Sequence, residues 1–558
     1  MTISMNAKKN KTGRRGAALL VVLLVIMAIT IVSLGFLSRS DIELACGQNM
    51  VLRTQMDYLA ESGLEHARGL ILHPQDIDSE YWPGATAQQL LADSDDYYDV
   101  EVVRDDSDPT DRCNYVIDCD SYRLEAGERI GRSSVSAKLR LDPCVALWTG
   151  TNTTLWPGVT INGDVRCGGT LLNQGTIDGD VFASSLAGDG TVEGQQKEPN
   201  DLSLIWPNVT VGNFRYAAGV SYHSPDFTLT GDMRIDGMLL VEGDLMVRNA
   251  ANAIAATKNL PALLVTGDLI IAGGGELTIT GLAVVDGDVL ISAGDAKITV
   301  VGGLFVQGML AETTADSSDY GNTGTLYNGP TWQSSGGGAL EFHGDNTAVQ
   351  IGTNGMDPQN GSVCLRAYAY GFGSSHHYLF GHACPTSWWG NLIQLYTDDE
   401  NGWLDLGLGS SHYRRTGIKR LDTNTWYDIA LTWNGTQYTV YVRDSEGVVE
   451  VSGDYAGLWT LGNIADIGNR GVPTRRDGSF HGLIDDVRIY NRVLDPNDIP
   501  PTDGLAGLVG HWKLDEAGSN ITVTAAPSKT AVVLWSEAGH TEKWGQAAGA
   551  FFRSLERK

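Results

Sequence analysis

The sequence predicts a mainly β protein that begins with one long transmembrane helix. Three observations lead to this fold class. Residues 17–37 form a run of 21 residues without a charged side chain. The chain has 68 glycines among 558 residues and only 19% charged residues, a composition typical of β-structure with glycine turns. Short apolar runs that end in Gly-Asp recur through its middle. The length corresponds to about three to four domains.

The charge of the chain argues against a nucleic-acid partner. The net charge is −28, and the first sixteen residues carry five basic and no acidic side chains, so the remainder carries −28 − 5 = −33. Phosphate binding needs a basic face, which so acidic a body does not offer. This charge is compatible with an extracellular protein and with bound divalent cations.

The seven cysteines do not form the pattern of a disulfide scaffold or of a Cys-x-x-Cys metal site. Cys364 and Cys384 lie on either side of a glycine-rich turn at residues 371–375. If that stretch is a hairpin, the two face each other across two strands, where a disulfide is geometrically feasible. Two buried free thiols are the alternative.

The N-terminal apolar run is long enough to cross a membrane. At 1.5 Å per residue, residues 17–37 span about 30 Å, the thickness of a bilayer core. The preceding basic residues are expected to stay cytoplasmic and the body to lie outside. A cleavable secretory signal has a shorter apolar core and a small-residue cleavage site, whereas Ser-Arg-Ser-Asp follows here. The helical pattern continues to Leu72, and Pro74 ends it. A plain signal anchor remains an alternative.

Residues 8–143 resemble the type IV pilin superfamily, particularly minor pilins and the tip-type pseudopilins of type II secretion. The resemblance rests on a basic leader that ends at Gly16, on the long helix, and on strand-like runs near residues 97–103, 115–124 and 133–141. It implies cleavage after Gly16 by a prepilin peptidase, methylation of Ala17, and packing of the helix in a filament core. A small β-meander would occupy residues 74–146.

One residue departs from the pilin pattern. The fifth residue after the expected cut is usually Glu, but here it is Val21. In the family, that carboxylate pairs with the N-terminal amine of a neighbouring subunit, because a buried charge needs a partner. Tip-type pseudopilins also lack this Glu, so Val21 favours a tip or assembly-initiating position. Alternatively, the protein never polymerises and keeps the helix only as an anchor.

Residues 147–302 are punctuated by Gly-Asp pairs, and the last three pairs lie 24 and 20 residues apart. Alternating apolar residues between glycine turns predict short strands, and a recurrence near 20 residues predicts a solenoid. The region resembles bactofilin-like β-helical domains and is expected to act as a stiff stalk. An antiparallel sandwich with Gly-Asp hairpins is the alternative. The aspartates are interpreted as turn residues, with calcium binding as the alternative.

Residues 303–495 resemble laminin-G-like, concanavalin-type jelly rolls. The resemblance rests, in order, on residues 338–346, 426–436, 438–442 and 480–492. It implies a β-sandwich that binds glycans or proteins through loops at one rim. Residues 507–516 align loosely with residues 303–312, so residues 496–558 form either a partial second repeat or a strand that completes the first sandwich.

The jelly-roll resemblance also implies candidate site residues. A structural calcium ion would be held by Asp345, Asn346, Asp485 and Asp486, whose oxygen atoms suit calcium. Solvated acidic turns are the alternative. The adjacent indoles of Trp388 and Trp389 are candidates for stacking on sugar rings, with packing at the rim as the alternative.

The sequence predicts a protein that is not an enzyme. It has no Glu-x-Asp-x-Glu run, no Gly-x-Ser-x-Gly, no His-Glu-x-x-His and no phosphate loop. The prediction is therefore an inner-membrane-anchored envelope protein with an outer body, a pilin-like subunit that displays a glycan- or surface-binding sandwich. Its expected partners are the membrane, other pilin-like subunits and a glycan or protein ligand. The alternatives are a monomeric anchored glycan-binding protein and a sandwich-fold glycoside hydrolase.

Overall fold

A computed structural model describes most of the chain. The described residues are 14–72, 84–105, 114–140, 145–198, 206, 211–256, 261–334, 337–344, 346–373, 375–383, 390–398, 400–409, 413–472, 474–525 and 551–557. About half of the sequence forms strands, so the prediction of a mainly β protein with one long N-terminal helix is confirmed.

The N-terminal unit is a helix packed on an antiparallel sheet. Helix α1 spans Arg14–Leu72. The strands are β1 (Gly84–Gln88), β2 (Asp96–Asp105), β3 (Asn114–Glu125) and β4 (Glu128–Arg140), and β4 also pairs with the last strand, β45 (Phe551–Arg557). Met56, Ala60 and Ala67 are fully buried at helical spacing, because the second half of α1 lies against this sheet.

The first half of α1 is apolar and exposed. The large side chains from Leu19 to Leu37 keep about half or more of their surface accessible. By length and composition, α1 is able to cross a membrane, and it is the one such helix in the described part of the chain.

The middle of the chain forms sheets of short parallel strands, which we call the parallel stack (residues 145–314 and 520–524). Each strand pairs in register with a strand one turn of the chain away, for example Leu263 with Ala283 and Ala283 with Leu304. The hairpins of the alternative prediction would pair antiparallel. The strands of the first half are β5 (Val145–Thr149), β6 (Thr153–Leu155), β7 (Val159–Asn162), β8 (Asp164–Cys167), β9 (Thr170–Asn173), β10 (Thr176–Asp178), β11 (Val181–Phe182), β12 (Ser185–Ala187), β13 (Thr191–Val192) and β14 (Gln196–Lys197).

The second half of the stack follows a short helix, α2 (Val211–Phe214). Its inward residues are almost all Leu, Ile or Val with no accessible surface, which makes the interior a continuous apolar column. Its strands are β15 (Val220–His223), β16 (Phe227–Leu229), β17 (Arg234–Asp236), β18 (Met238–Val241), β19 (Leu245–Val247), β20 (Ala251–Ala255), β21 (Leu263–Val265), β22 (Leu269–Ile271), β23 (Glu276–Thr280), β24 (Ala283–Val285), β25 (Val289–Ser292), β26 (Lys297–Val301), β27 (Leu304–Val306) and β28 (Leu310–Thr314).

The strand order in the stack differs from the order in the sequence. The first half starts in the middle of a sheet, at β5, and continues to one edge, at β14, whereas the second half starts at the opposite edge, at β15, and returns to the middle, at β27. Strand β5 pairs with β8 on one side and with β27 on the other, so the first and last turns are neighbours. Trp206, the described residue between the two halves, lies on the outer face of the sheet. There Trp206 packs against Trp148 and Phe305, with ring centroids 5.4 and 6.3 Å away. Apolar residues on the outer face of the sheet are thereby covered.

The Gly-Asp pairs of the stack have a physical explanation in what we call the aspartate ladder (Asp226, Asp244, Asp268 and Asp288). The Oδ1 atom of each aspartate accepts a hydrogen bond from the backbone N–H of the next, at 2.8–3.0 Å. Asp226, the first of the ladder, follows Pro225. The residues before Asp268 and Asp288 must be glycine, since a Cβ at Gly267 or Gly287 would lie only 2.2 or 2.3 Å from the carboxylate of the turn below. The aspartates interpreted as turn residues therefore form hydrogen bonds that link neighbouring turns of the stack.

A two-sheet sandwich is inserted between β28 and a strand that rejoins the stack, β44 (Asn520–Thr524). Trp433, Trp512 and Phe342 fill its interior. Its strands are β29 (Gly324–Tyr327), β30 (Thr331–Gln333), β31 (Ala339–His343), β32 (Ala348–Gly352), β33 (Asn360–Ala369), β34 (His377–His382), β35 (Leu392–Thr397), β36 (Leu404–Gly409), β37 (Tyr413–Arg415), β38 (Trp426–Asn434), β39 (Gln437–Asp444), β40 (Gly447–Asp454), β41 (Ile464–Ile467), β42 (His481–Tyr490) and β43 (Leu508–Trp512), with a 3-10 helix at Pro496–Asp498.

The boundaries of the sandwich differ from those expected. The predicted boundary at residue 303 is wrong, because β27 and β28 pair in parallel with strands of the stack. The segment after residue 496 supplies two strands with different destinations. Strand β43 pairs with β42 and extends the sandwich, as in the second of the two expectations. Strand β44 fits between β26 and β7 and joins the two halves of the stack.

Candidate ligand-binding cleft

A cleft of about 870 Å³ lies where the sandwich meets the parallel stack. This volume is within the range of small-molecule sites, about 300–1,000 Å³. One wall belongs to β6, β9 and the turns beside them, and the other to the sandwich. The polar side chains that line it are those of Thr151, Asn152, Thr153, Thr154, Thr170, Asn328, Asn346 and Thr474, together with Tyr327, Arg475, Arg476 and Asp477.

The wall formed by the stack is shallow and polar. In β6, Thr153 and Leu155 are buried, so the alternating pattern turns Thr154 towards the cleft. Asn152 is held in place because its Oδ1 accepts a hydrogen bond from the backbone N–H of Thr170 at 2.8 Å. A Cβ at Gly169 would lie 2.0 Å from the same oxygen, so glycine is needed there. The result is a surface of hydroxyl and amide groups.

The wall formed by the sandwich is built by the connection between β41 and β42, which we call the arginine loop (residues 468–480). Gly471 has a φ of +77°, and a Cβ there would lie 2.2 Å from the carbonyl oxygen of Gly381, so the loop lies directly on β34. Asn469 is fully buried and fixes the loop. Its Nδ2 donates to the carbonyl oxygens of Thr347 and Arg476, both at 3.0 Å.

Arg476 is the most constrained cation in the cleft. Its guanidinium carbon lies 3.9 Å from the centroid of the Tyr327 ring, a cation–π arrangement. Its Nη2 donates to Oε1 of Gln350 at 2.7 Å. The side chain is only 12% exposed. The position of the guanidinium is therefore set by the sandwich before any ligand arrives.

The other two arginines of the loop share one carboxylate. Asp477 receives ion pairs from Arg470 at 3.0 Å and from Arg475 at 2.8 Å. Arg470 also lies over the ring of Tyr378, 5.0 Å from its centroid. These two cations lower the pKa of Asp477 against the effect of burial, so the carboxyl is ionised and neutralises one positive charge.

Behind the cleft lies a buried network that is incompletely hydrogen-bonded. Burial raises the pKa of Asp466 to about 6, opposed by the nearby Arg476 and by a hydrogen bond from the Gly471 N–H. Among the described residues, Oδ1 of Asp466 and the Nε atoms of Arg470 and Arg476 are buried without a hydrogen-bond partner. Such groups cost free energy unless water or a ligand satisfies them.

Of the predicted calcium residues, the structure describes Asn346, Asp485 and Asp486, and Asn346 lies apart from the other two. Asp485 forms an ion pair with Arg366 at 2.8 Å, and Asp486 contacts Arg488 at 2.7 Å and His511 at 2.8 Å. Burial raises the pKa of Asp485 to about 6, whereas His511 and Arg488 lower that of Asp486.

Asn346 lies elsewhere, in the turn after β31, where it lines the cleft. The strand residue that pairs with the end of β31 is His481. Asp485 lies four residues further along β42, which places it about 13 Å from His481 along the strand. Asn346 lies beyond the end of β31 that pairs with His481, so Asn346 and Asp485 are far apart. Asp345 lies outside the described residues, and the described part of the chain contains no group of three metal-binding side chains. The calcium ion thus stays a prediction of the resemblance.

The hairpin expected between Cys364 and Cys384 is wrong. Strand β33, which carries Cys364, pairs with β38 and β42, whereas β34 pairs with β35 and β41 in the opposite sheet. Cys364 is a buried free thiol that packs against Ala430 and Tyr490 on the outer face of its sheet. Cys384 lies outside the described residues, as do Trp388 and Trp389.

The residues of the pilin-like prediction lie in the first turns of α1. Gly16 and Ala17 are helical, and Val21 is 60% exposed in the apolar segment. Cleavage after Gly16 remains a prediction.

The arginine loop and Tyr327 were not recognised from the sequence. One signal was present: three arginines fall within residues 470–476 of a strongly acidic chain. Their meeting with Tyr327 and with the threonines of β6 depends on how the sandwich is inserted into the stack, which no local pattern reveals.

Comparison with known proteins supports the sandwich assignment. Residues 343–500 match the family described as the concanavalin A-like lectin/glucanases superfamily. The match covers 158 of 558 residues (500 − 343 + 1 = 158), so it concerns the sandwich and not the whole chain. No curated protein matches the sequence.

Several solved structures show a distant similarity to this chain. A protein from Bacteroides ovatus, provisionally described as carbohydrate binding, has 17% identity and a TM-score of 0.24 over 38% of this chain and 54% of its own. Domain 4 of the arabinanase AbnA from Geobacillus stearothermophilus, in complex with arabinotriose, has 18% identity and a TM-score of 0.24 over 34% and 97%. Tailspike protein 2 of the Escherichia coli bacteriophage CAB120 has 10% identity and a TM-score of 0.29 over 66% and 74%.

These similarities are distant. The chain spans about half of the length of the Bacteroides ovatus protein, and all three TM-scores lie below 0.5. The similarity to concanavalin A-like domains rests on the family match at residues 343–500 alone.

Proposed function

We propose that the protein is a membrane-anchored cell-envelope protein that binds a glycan in the cleft between its parallel stack and its sandwich. The observation that carries this proposal is the lining of the cleft. Threonine and asparagine groups on one wall face an aromatic ring and two arginines on the other. Hydroxyl, amide and aromatic groups are the partners that sugar hydroxyls and sugar ring faces require. The match of residues 343–500 to lectin-like domains agrees with it.

The cleft is better suited to binding than to hydrolysis. Glycosidases generally need two carboxyl groups on either side of the bond that is cleaved. Asp477 is the only carboxylate among the described lining residues, and two arginines engage it. We therefore assign no catalytic step to this cleft, because the hydrolase alternative has no second carboxyl group among the described lining residues.

The rest of the molecule supplies an anchor and a spacer in this proposal. The apolar first half of α1 would hold the protein in a membrane, with the body outside. The parallel stack would act as a β-helix-like stalk that keeps the sandwich away from that membrane. A stack whose neighbouring turns are bonded along their whole length is stiff, which suits this role.

The pilin-like assembly role is the finer part of the proposal. It is supported by the leader that ends at Gly16 and by the packing of the second half of α1 on an antiparallel sheet. The N-terminal peptide of the native protein tests it by mass spectrometry. A methylated N-terminus at Ala17 supports processing by a prepilin peptidase. An intact leader contradicts it and leaves a monomeric, anchored glycan-binding protein.

Glycan binding is tested with the full chain in lipid nanodiscs on a glycan array. Thr154→Trp fills the cleft from the wall of the stack and is expected to abolish binding. The matched control is Thr278→Trp, at an outward-facing, half-buried threonine of β23 outside the cleft. Equal binding by both variants and the unaltered protein would place the glycan elsewhere.

A further inference from the structure

The cleft carries a positive charge in a strongly negative protein. The net charge of the chain is −28. The charged side chains among the described lining residues are those of Arg475, Arg476 and Asp477, which sum to +1. Arg470 stands directly behind them and shares Asp477 with Arg475. The net charge of the described lining residues is therefore attractive to an anionic ligand, although the protein as a whole is acidic.

Among the described residues, the carboxyl group that pairs with Arg476 is that of the buried Asp466, and the contact is long. The carboxylate of Asp477 is already shared by Arg470 and Arg475. The other nearby carboxyl group is that of Asp466, whose Oδ2 lies 3.8 Å from Nε of Arg476, which is too long for a hydrogen bond. Burial also raises the pKa of Asp466 to about 6, which weakens it further as a counter-ion in mildly acidic surroundings.

The guanidinium of Arg476 is nevertheless held firmly. The ring of Tyr327 covers one face, and Gln350 accepts from Nη2. A guanidinium that is held firmly in the lining of a cleft suits the recognition of a carboxylate, sulfate or phosphate group, since little side-chain entropy is lost on binding.

From these contacts we infer that the glycan bound in the cleft is acidic, and that Arg476 pairs with its carboxylate, sulfate or phosphate group. This inference rests on the proposed glycan-binding function and names the class of ligand. The threonines and Asn152 of the stack contact the hydroxyl groups of the sugar, while the arginine loop contacts its charge. A neutral glycan offers Arg476 no charged partner, so Arg476 keeps only its long contact with Asp466 and the glycan is bound more weakly.

The test measures binding of the full chain in nanodiscs to two sets of hexasaccharides. The acidic probes are those of hyaluronan, polygalacturonate and heparin, and the neutral probes are those of cellulose, xylan, chitin and maltodextrin. At least one acidic probe is expected to bind at least about tenfold more tightly than every neutral probe, the effect of one charge-assisted hydrogen bond. Raising the salt concentration from 50 to 500 mM is expected to weaken this binding, because salt screens exposed charges.

The outcomes separate the two proposals. A neutral hexasaccharide bound as tightly as every acidic one overturns the acidic class but leaves glycan binding intact. Failure of all seven probes contradicts glycan binding and, with it, the acidic class.

Three variants test which arginine pairs with the acidic group of the glycan. Arg476→Gln is expected to weaken binding of the best acidic probe by about tenfold or more, and Arg476→Lys to have an intermediate effect. Arg475→Gln, at a side chain that is 38% exposed, gives a second measurement if Arg476→Gln does not fold. Arg234→Gln, at an exposed ion pair in β17, is the control and is expected to bind normally. Unchanged binding by both Arg476→Gln and Arg475→Gln overturns the inference.

Discussion

Removing one carboxylate from the aspartate ladder tests whether these side chains hold neighbouring turns of the stack together. Asp268→Ala deletes the acceptor that receives the backbone N–H of Asp288 at 2.8 Å. A hydrogen bond to a charged acceptor at a half-buried site contributes about 1–2 kcal/mol. Asp268→Asn keeps an oxygen at the same place, so the two substitutions separate the hydrogen bond from the charge.

The charge itself is expected to destabilise the ladder. Successive carboxylates in a parallel stack lie about 4.8 Å apart and repel each other by about 1 kcal/mol in water-like surroundings. Burial, opposed by the hydrogen bond from Asp288 and assisted by repulsion from Asp288 and Asp244, raises the pKa of Asp268. A raised pKa means that the protonated form favours folding. The corresponding stability is present below the pKa of the unfolded chain and is lost as the pH rises through that of the folded state.

The assay is hydrogen exchange of peptides that cover β24 and β25, followed by mass spectrometry. Asp268→Ala is expected to speed exchange at the Asp288 amide by about tenfold, equivalent to about 1.4 kcal/mol. In Asp268→Asn, the Asp288 amide is expected to exchange at pH 7 as slowly as in the unaltered protein or more slowly. The difference in exchange rate between the two proteins is expected to become smaller towards pH 4. Asp236→Ala, at an exposed carboxylate outside the ladder, is the control. Equal exchange in Asp268→Ala and Asp268→Asn would refute the hydrogen-bond explanation.

Three further predictions concern other parts of the fold. Gly287→Ala places a Cβ 2.3 Å from the Asp268 carboxylate and is expected to lower the stability of the stack by about 2 kcal/mol in thermal unfolding, whereas Gly273→Ala, 3.7 Å from its nearest neighbour, is the tolerated control; equal melting temperatures would contradict the steric argument. Burial raises the pKa of Glu312 to about 7, so the free energy of unfolding of the unaltered protein is expected to fall by on the order of 2 kcal/mol between pH 5 and pH 8. Glu312→Gln is expected to show a smaller fall over the same range. Parallel pH profiles of the two proteins would show that Glu312 does not titrate in this range. Because burial raises the pKa of the Cys364 thiol to about 12, alkylation is expected only after denaturation, and the mass of that peptide under non-reducing conditions checks this; a disulfide-linked peptide would contradict it.

Part of the sandwich was predictable and part of the site was not. The motif at residues 480–492, around Asp485 and Asp486, predicted a strand of the sandwich, and β42 is that strand, because strand patterns depend on neighbouring residues. The same motif led to an expected metal site, but these two carboxylates contact Arg366, Arg488 and His511 instead. Arg488 belongs to the same strand, but Arg366 and His511 come from β33 and β43, so these two ion pairs could only be read from the tertiary contacts.

The cysteine prediction failed for a related reason. A glycine-rich turn between two strands is compatible with a hairpin and also with a connection that passes from one sheet of a sandwich to the other. The residues at 371–375 are the same in both cases. Whether residues 371–375 form a hairpin or a connection between sheets depends on the sheet to which β34 belongs. That sheet is determined by the pairing of β34 with β35 and β41.

The sequence by itself determined the elements that depend on near neighbours in the chain. The uncharged run of residues 17–37 and Pro74 determined a long helix with an apolar first half, because bilayer-scale length and the missing N–H of proline are local properties. Glycine beside aspartate determined where the turns of the stack lie, because only glycine leaves room for the carboxylate of the turn below.

Only the tertiary structure decided the order in which those elements pair. Parallel strands of similar apolar pattern are able to pair with several partners, so the sequence did not show that β5 lies between β8 and β27 or that β44 fits between β26 and β7. The same long-range pairing inserts the sandwich and brings Arg476 onto Tyr327, 149 residues earlier in the chain (476 − 327 = 149). The physical reason is that burial of apolar surface stabilises a contact whatever the sequence separation of its residues, whereas sequence patterns concern only residues that are close together in the sequence.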